Sequence, residues 1–353
     1  MNILKKLENT EKLTNEEAMS LYNFDLPFLA KFANTIREKK HGKKTYFNIN
    51  RHINPTNICK DICQFCAYSV SRKNPNPYTM SHEQILDIIE KSAKNNIKEV
   101  YIVSAHNPKT GLEWYLGIFK KIKEKFPNIH IKVLTAAEIH FLSQEYNISY
   151  EKLIEKIIES GVDSLPGGGA EIFNEQIRKM ICGGKVSSDE WIEIHKLWHK
   201  SDHKSTASIL FGHIETKEHR IEHMIRLRDL QEETNGFNAF IPLLYQRENN
   251  YLKVKKLLSE EEFLKTIAIA RILLFNIPNI KAYWVTSTMK FALEAQKYGA
   301  NDLDGMIEKE SIQSAAGAKS KNSIHLNSLV DSIKESGFIP VERDSIYNEI
   351  KTW

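Results

Sequence analysis

Apolar segments of strand length alternate with amphipathic helical segments along most of this chain. Strands that are separated by helices pair in parallel, and about eight such units close into one barrel. The sequence therefore predicts an α/β fold, a single TIM-like β/α barrel with a six-strand core extended to eight strands. The predicted strands cover residues 45–53, 100–103, 129–134, 163–165, 206–211, 237–244, 280–285 and 302–304.

The chain divides into three expected segments around this barrel. Residues 1–44 have helical apolar spacing and form an N-terminal helical extension, residues 45–318 form the barrel, and residues 319–353 form a C-terminal segment packed on it. We find no internal repeat and no low-complexity linker, so nothing separates independent domains.

Composition and charge exclude several classes of protein. The 353 residues are 41% hydrophobic and 27% charged, as in ordinary globular proteins. A net charge of +4, from 49 basic and 45 acidic residues, gives no support for a nucleic-acid partner. No apolar run reaches the roughly 20 residues of a membrane span, and the N-terminus lacks the apolar core of a signal peptide. We expect a cytoplasmic enzyme without a membrane partner.

Three of the four cysteines, Cys59, Cys63 and Cys66, lie within eight residues in a C-x3-C-x2-C pattern. Cysteines crowded in this way are typical of metal ligands in a reducing compartment. One alternative is a structural zinc site, which needs a fourth ligand such as His52 or His82. The other is an iron–sulfur cluster with one metal vertex left open, which would be a place for chemistry.

Polar residues follow the predicted strands, at the end of a parallel barrel where catalytic groups gather. A Gly167-Gly168-Gly169 turn would let backbone amides approach an anionic group or a ribose closely. Any one of these residues alone is more often a structural loop residue than a ligand. After strands two to six, the candidates are Ser104, His106, Glu138, Gly168, Glu171, Gly212, His213, Glu215 and Arg247.

The cysteine spacing and Phe65, directly before the last cysteine, resemble the signature of the radical S-adenosylmethionine (SAM) enzymes. The resemblance implies a radical SAM type of barrel and a 4Fe–4S cluster held by Cys59, Cys63 and Cys66. It further implies that the fourth iron binds SAM, which one electron splits into methionine and a 5′-deoxyadenosyl radical. Phe65 would then offer its backbone to the adenine.

Two further family motifs are matched only in part. The Gly-Gly-Glu motif that normally follows the second strand is replaced by Ser104-Ala-His106. The pattern of the fifth strand, G-x-I-x-G-x-x-E, is matched in its second half by Gly212 and Glu215 and weakly by Ser208. The resemblance therefore implies cofactor-binding roles for Phe65, Ser104, Glu138, Gly168, Glu171, Gly212 and Glu215.

A closer resemblance covers residues 50 to about 318, through stretches such as Arg51-His-Ile-Asn-Pro-Thr-Asn57 and Phe211-Gly-His-Ile-Glu-Thr216. These look like the radical SAM enzymes of the futalosine route to menaquinone. Lys281-Ala-Tyr-Trp284 and Asp302-Leu-Asp-Gly305 are more similar to the aminofutalosine synthase group than to the cyclising group of that route. The Ser-Ala-His-Asn-Pro stretch after the second strand departs from the Gly-Gly-Leu-His-Pro of that family.

The resemblance to that group implies that the adenosyl radical adds to 3-[(1-carboxyvinyl)oxy]benzoate and that SAM is consumed as a substrate. The alternatives are cyclisation of dehypoxanthinylfutalosine, and a metal-binding scaffold without catalysis. The expected partner is a low-potential electron donor of flavodoxin or ferredoxin type.

A substrate with two carboxylates calls for cationic groups, since guanidinium and ammonium groups bind carboxylates well. Arg51, Arg178, Arg247 and Lys281 are the candidates near predicted strand ends, although a residue in such a position is more often a surface or salt-bridge residue than a substrate ligand. His52, His106 and His213 are candidate catalytic residues, because histidine relays protons near neutral pH. Their alternative is a hydrogen-bonded barrel histidine. Cys182 is expected to be inert.

Overall fold

The strands are the frame of the fold, and the computed structural model describes them within residues 3–307, 311–318 and 324–353. In chain order, β1 to β10 are Lys44–Ile53, Glu99–Ile102, His130–Val133, Ser164–Leu165, Lys204–Phe211, Phe237–Leu244, Asn279–Ile280, Asp302–Ile307, Ile339–Arg343 and Glu349–Thr352.

Helices connect the strands, and many begin at a polar residue that caps the free N–H groups of the first turn. Ser81, for example, accepts from the Gln84 N–H while the Gln84 side chain accepts from the Ser81 N–H. In chain order, α1 to α15 are Ile3–Asn9, Asn15–Ser20, Leu26–His41, His82–Ala93, Leu112–Lys125, Ala136–Tyr146, Tyr150–Glu159, Glu175–Cys182, Ser188–Lys200, Lys217–Thr234, Glu260–Leu273, Trp284–Ser287, Met289–Ala295, Ile312–Ala315 and Leu326–Glu335.

The first eight strands form one curled, parallel sheet. β1 to β7 are neighbours in chain order, and β8 pairs with β1 in parallel. A single bridge between Lys281 and Asp302 joins the region of β7 to β8. The predicted α/β fold of parallel β/α units is confirmed, and the sheet curls into a partial barrel with its apolar core between sheet and helices.

The seventh strand is shorter than predicted. β7 ends at Ile280, and the chain turns into α12 at Trp284, so the prediction of a strand over 280–285 was wrong beyond Ile280. Ala282 N–H donates to Asp302 O at 2.8 Å, and Trp284 Nε1–H donates to Gly305 O at 3.1 Å. These bonds fasten the segment to β8 instead of extending β7.

Two strands near the C-terminus enlarge the sheet beyond the predicted eight. β9 pairs in parallel with the first residues of β1, and β10 pairs antiparallel with β9. Residues 319–323 of the predicted C-terminal segment lie outside the described residues. Among the helices described, none is long and apolar enough to cross a membrane.

Because the strands of the barrel are parallel, their C-terminal ends meet at one mouth. β1 ends at Ile53 just before the cysteine loop, and β2, β3 and β4 end at Ile102, Val133 and Leu165. The loops that carry the candidate functional residues therefore start from the same end of the barrel.

Candidate active site

The cysteine loop follows β1 and is held by neighbouring backbone. Gln64 N–H donates to Ile181 O at the end of α8, at 2.7 Å, and Cys66 N–H donates to Cys63 O at 3.1 Å. The thiols of Cys59, Cys63 and Cys66 are each partly buried, and burial raises the pKa of Cys59 and of Cys63. A buried thiol of this kind becomes a thiolate when a metal binds it.

Two of these sulfurs accept backbone hydrogen bonds. His106 N–H donates to Cys59 Sγ and Ser69 N–H donates to Cys66 Sγ, each at 3.4 Å. Hydrogen bonds to the sulfurs stabilise thiolates and tune iron–sulfur clusters. The donor set of the loop therefore fits a cluster held by three cysteines.

The three cysteine sulfurs do not form the compact set that a single zinc ion would need. Among the residues that the structure describes, the only set of three His, Cys, Asp or Glu ligand atoms within 4.8 Å of one another is Cys59, Asp61 and His106. At least one pair of the cysteine sulfurs is therefore more than 4.8 Å apart, whereas Zn–S bonds of about 2.3 Å would place all three about 4 Å apart. The Nε2–H of His82, a suggested fourth zinc ligand, donates to Trp114 O instead, at 2.9 Å.

His106 lies in the loop after β2 and supports the cysteine loop. Its Nδ1 lies 2.7 Å from Asp61 Oδ2, and its ring stacks on Phe141 at 5.1 Å between centroids. Burial lowers the pKa of His106, so a neutral ring donates Nδ1–H to the carboxylate. Backbone and side chain of His106 together fix the position of Cys59, which makes it a positioning residue for the loop.

An ion pair between Glu171 and Lys185 lies beside the cysteine loop. Lys185 Nζ is 2.7 Å from Glu171 Oε1 and 5.7 Å from the centre of the Phe65 ring. Burial lowers the pKa of Lys185, but Glu171 and the nearby Cys63 raise it well above its usual value. Sequence reasoning found Glu171 and Phe65 but missed Lys185, because Lys185 follows a helix rather than a strand.

Ser104 and Glu138 meet behind the mouth of the barrel. Glu138 accepts Ser104 N–H at 2.9 Å and Thr135 N–H at 2.8 Å, so its carboxylate caps α6 and ties it to the loop after β2. Burial raises the pKa of Glu138 to about 7, although these backbone N–H groups lower it. Both carboxylate oxygens of Glu138 are therefore already engaged by the chain itself.

The three glycines after β4 allow close packing. A Cβ on Gly167 would lie 2.6 Å from Ala207 C, and a Cβ on Gly168 would lie 2.7 Å from the Thr135 methyl group. Gly169 has φ +85°, a conformation that favours glycine. These positions bring the turn against β5 and α6, and Gly167 and Gly168 also line the central cavity.

The loop after β5 is organised by one carboxylate. Glu215 accepts Gly212 N–H at 2.6 Å, His213 N–H at 2.8 Å and Arg220 Nε–H at 2.7 Å. Gly212 has φ +86°, and the ring of His213 lies 3.0 Å from Leu210 O. Glu215 and His213 thus bond mainly to their own loop and to α10.

A central cavity lies inside the barrel and contains two buried ion pairs. Lys132 Nζ lies 2.7 Å from Glu99 Oε2, and Lys281 Nζ lies 2.9 Å from Asp304 Oδ1. Burial alone would raise the pKa of Glu99, but Lys132 and other cations lower it well below its usual range. His52 lines the same cavity and stacks on Tyr101 at 4.6 Å.

Lys132 and Glu99 were missed by sequence reasoning, although a signal was present. Lys132 interrupts the apolar segment of the third strand, and Glu99 directly precedes the predicted second strand. A charged residue within a buried strand requires a partner. Only the pairing of β2 with β3, which aligns Glu99 with His130 and Tyr101 with Lys132, identifies that partner.

The three candidate arginines lie elsewhere. Arg178 is buried and donates to the carbonyl oxygens of Gly169 and Ile172 at 3.1 Å, so it supports the glycine turn. Arg51 lines a second cavity with Tyr68 and other residues of the first loop. Arg247 is half exposed and lies 3.6 Å from Glu248. Of the four predicted cations, only Lys281 lines the central cavity.

The parallel barrel with its three-cysteine loop defines the class of protein. The radical SAM superfamily profile matches residues 53–227, the CofH/MqnC C-terminal region profile matches residues 234–352, and the chain belongs to the radical SAM superfamily. It is an enzyme of this type, and its cofactors are a 4Fe–4S cluster and SAM.

Named relatives cover nearly the whole chain. It is 37% identical to the aminodeoxyfutalosine synthase of Thermus thermophilus, over 99% of this chain and 96% of that relative. It is 34% identical to the cyclic dehypoxanthine futalosine synthase of Halalkalibacterium halodurans, over 99% of this chain and 95% of that relative. The chain is also 34% identical to an archaeal relative, the 5-amino-6-(D-ribitylamino)uracil–L-tyrosine 4-hydroxyphenyl transferase 1 of Methanosarcina acetivorans. This match covers 96% of this chain and 92% of that relative.

Solved structures share the fold. The FeFe-hydrogenase maturase HydG of Carboxydothermus hydrogenoformans superposes with a TM-score of 0.77 at 16% identity, over 98% of this chain and 80% of that one. Methylornithine synthase superposes with a TM-score of 0.73 at 18% identity, over 96% of this chain and 97% of that one. At these identities the likeness concerns the fold alone.

Proposed function

We propose that this enzyme is an aminodeoxyfutalosine synthase. In that reaction the 5′-deoxyadenosyl radical adds to the enol-ether double bond of 3-[(1-carboxyvinyl)oxy]benzoate. The adduct radical attacks the aromatic ring, the aryl group migrates, and one carboxylate leaves as carbon dioxide together with the unpaired electron, giving 6-amino-6-deoxyfutalosine. Relatives with this name, from Thermus thermophilus and Streptomyces coelicolor, are 37% and 33% identical over 99% of the chain.

The observation that carries the proposal is the pair of buried lysines in the central cavity. Lys132 is 2% exposed and Lys281 is 3% exposed. Each ammonium group has three donors, and the neighbouring carboxylate fixes its direction while donors remain for a ligand. Two fixed cations in one cavity suit a substrate with two carboxylates, which is what the enolpyruvyl benzoate carries.

The walls of the cavity suit the aromatic part of the same substrate. His52 stacked on Tyr101, together with Tyr283 and Leu243, offers flat and apolar surface to a benzoate ring. The enclosing barrel keeps water away from a reactive radical. We therefore assign the substrate to this cavity. Lys132 and Lys281, and not the arginines that the sequence suggested, would bind its carboxylates.

The cofactors belong at the mouth, beside the cysteine loop. When bound, the cluster supplies the electron that splits SAM into methionine and the adenosyl radical. We propose that Cys59, Cys63 and Cys66 hold the cluster. Glu171 and Lys185 offer one anionic and one cationic group next to it, which match the amino and carboxylate groups of the methionine part of SAM.

Labelled SAM gives a decisive test of the reaction. The reconstituted, reduced enzyme is incubated without oxygen with SAM that carries 13C in its ribose and with the enolpyruvyl benzoate. A product whose mass contains the labelled adenosyl group, less one carbon dioxide, supports the proposal. A parallel incubation contains dehypoxanthinylfutalosine in place of the enolpyruvyl benzoate. If only this incubation gives a product, and the product is cyclised and unlabelled with free 5′-deoxyadenosine beside it, the chain belongs to the cyclising enzymes instead.

The metal-binding alternative has its own test. Anaerobic reconstitution of the wild-type chain should give a brown protein that contains iron and cleaves SAM when reduced. A colourless protein that takes up zinc and leaves SAM intact would show a scaffold without catalysis. A Cys63→Ala variant serves as the control for iron bound elsewhere on the chain.

A further inference from the structure

A compact set of three possible metal ligands lies at the start of the cysteine loop. The sulfur of Cys59, a carboxylate oxygen of Asp61 and a ring nitrogen of His106 all lie within 4.8 Å of one another. This set includes only one of the three cysteines of the loop. Its geometry therefore differs from that of the cluster site, and it is suited to a single ion.

The three side chains hold one another in place. His106 Nδ1 lies 2.7 Å from Asp61 Oδ2, and the His106 backbone N–H donates to Cys59 Sγ at 3.4 Å. The His106 ring stacks on Phe141 with an angle of 4° between the ring planes. The side chains of His106 and Asp61 are each 6% exposed. Ligands that are buried and oriented in this way need little reorganisation to bind an ion.

The types of ligand suit a divalent transition metal. Thiolate sulfur, imidazole nitrogen and carboxylate oxygen are the usual ligands of Zn²⁺, and they also bind Fe²⁺ and Co²⁺. A thiolate and a carboxylate together neutralise the two charges of the ion, which favours its burial. In a tetrahedral site with bonds of about 2.0–2.3 Å, the ligand atoms are about 3.3–3.7 Å apart. Each atom of the set therefore needs to move by only about 1 Å or less.

A cavity beside the set gives an ion access to it. The volume of the cavity is about 220 Å³, and Asp61 and His106 lie in its wall. The exposed residues Lys60 and Gly184 border the same cavity, so it reaches the surface of the protein. A water molecule in the cavity would supply the fourth ligand. The site is therefore accessible to small ions although its ligands are mostly buried.

We propose that Cys59, Asp61 and His106 form a mononuclear binding site for ferrous iron in the chain that does not yet carry its cluster. Cys59 is also assigned to the cluster, so the site exists only before the cluster is complete. The first iron would thus bind at the start of the loop that later holds the cluster. This inference goes beyond the proposed function, because it concerns the chain before it has its cofactor.

Binding at this site requires a simple exchange of protons and no transfer of electrons. The Cys59 thiol loses its proton to the solvent and binds the ion as a thiolate. The neutral His106 ring carries its proton on Nε2 instead of Nδ1, so that Nδ1 binds the ion. The hydrogen bond between His106 and Asp61 is replaced by one bond from each side chain to the metal.

Titration of the full chain with Co²⁺ tests the site. The chain is purified without oxygen in its reduced, cluster-free form, and the ultraviolet and visible spectrum is recorded as Co²⁺ is added. We expect one Co²⁺ per chain and a sulfur-to-cobalt charge-transfer band with the intensity of a single thiolate. Fe²⁺ in excess should then remove the cobalt spectrum. An excess is needed because sites of this kind bind Co²⁺ more tightly than Fe²⁺.

A matched pair of cysteine variants separates this site from binding by the three cysteines together. Cys59→Ser removes a ligand and should raise the Kd for Co²⁺ roughly tenfold or more, whereas Cys66→Ser should change it less than about twofold. Asp61→Asn keeps an acceptor for the His106 ring but removes the anionic ligand, so it should weaken binding as Cys59→Ser does. Asp87→Asn, on the exposed side of α4, is the control for loss of a negative charge. Circular dichroism checks that each variant is folded.

The outcomes that overturn the site are separate from those that bear on the proposed function. Equal weakening by Cys59→Ser and Cys66→Ser, or a charge-transfer band of several thiolates, would show that the cysteines bind the ion together. Wild-type affinity in folded Asp61→Asn, or a cobalt spectrum that excess Fe²⁺ leaves unchanged, would also overturn the inference. Absence of SAM cleavage by the fully reconstituted wild type would instead contradict the proposed function and leave the ion site intact.

Discussion

Lys185 Nζ lies 2.7 Å from Glu171 Oε1, and this ion pair joins the turn after α8 to the loop after β4 beside the cysteines. Glu171 itself has φ +45°, a conformation that residues other than glycine adopt rarely. Residues in such conformations persist where the surrounding structure holds them, often at functional sites. The pair is therefore a fixed feature of the mouth of the barrel.

Replacement of Lys185 should weaken SAM binding. Lys185→Met removes the cation that we assign to the methionine carboxylate, and we expect the Kd for SAM to rise at least tenfold, or about 1.4 kcal/mol. Equilibrium dialysis of the reconstituted protein with labelled SAM measures this. Lys179→Met, an exposed lysine near the end of α8, is the matched control and should leave the Kd unchanged. A wild-type Kd in Lys185→Met, with normal iron content, would contradict the assignment.

The Lys132–Glu99 pair allows stability and substrate binding to be separated. Lys132→Met leaves a buried carboxylate without its partner and should lower the free energy of unfolding by about 3–5 kcal/mol. The double variant Lys132→Met/Glu99→Met should recover much of this loss, because no buried charge remains. Urea denaturation measures both effects.

Substrate binding should not recover with stability. We expect the double variant to keep a KM for the enolpyruvyl benzoate at least tenfold above that of the wild type, since the cation is still missing. A wild-type KM in this stable variant would show that Lys132 has only a structural role. Lys204→Met, at the exposed start of β5, is the control.

Acid should destabilise the protein through buried histidines. Burial lowers the pKa of His223 and of His199 to about 3, and that of His41 to about 4. In the unfolded chain, where the histidine pKa is near 6.5, these side chains bind protons at pH values at which they remain neutral in the folded protein. Stability is thus full above about pH 6.5 and is lost as the pH falls.

Each such histidine should remove about 1.4 kcal/mol of stability between pH 7.5 and 5.5. His223→Gln retains a donor for Ser208 O, which His223 Nε2 contacts at 2.9 Å, but it does not titrate. Its loss of stability over this range should be smaller than that of the wild type by about the same amount. Urea titrations at the two pH values measure the difference, and equal losses would contradict the expectation.

The fourth cysteine provides a control for the ligand assignment. Cys182 is buried at the end of α8, and burial raises its pKa to about 11, so it should behave as an apolar side chain. Cys63→Ala should lose the cluster and all SAM cleavage, whereas Cys182→Ala should keep both. Iron analysis and the visible absorption of the reconstituted proteins distinguish them. Loss of iron in Cys182→Ala would make Cys182 part of the centre.

The sequence alone determined the features that depend on local pattern. Apolar segments and helical spacing predicted β1 to β6 within a few residues, because each strand and helix is encoded in its own stretch of chain. The three cysteines are close in sequence, so their grouping needs no knowledge of the fold. The loops after the strands were also predictable, since parallel strands share one mouth.

Only the tertiary structure decided which charges face each other. Lys132 and Glu99 are 33 residues apart and meet because β2 pairs with β3, and Lys185 reaches Glu171 across α8. Conversely, Arg178 and Glu215 looked like ligands in the sequence, yet the structure engages them with backbone of the neighbouring loops. The physical reason is that a buried charge is stable only beside a partner that is close in space. The distance between two residues in the sequence does not show which residue that partner is.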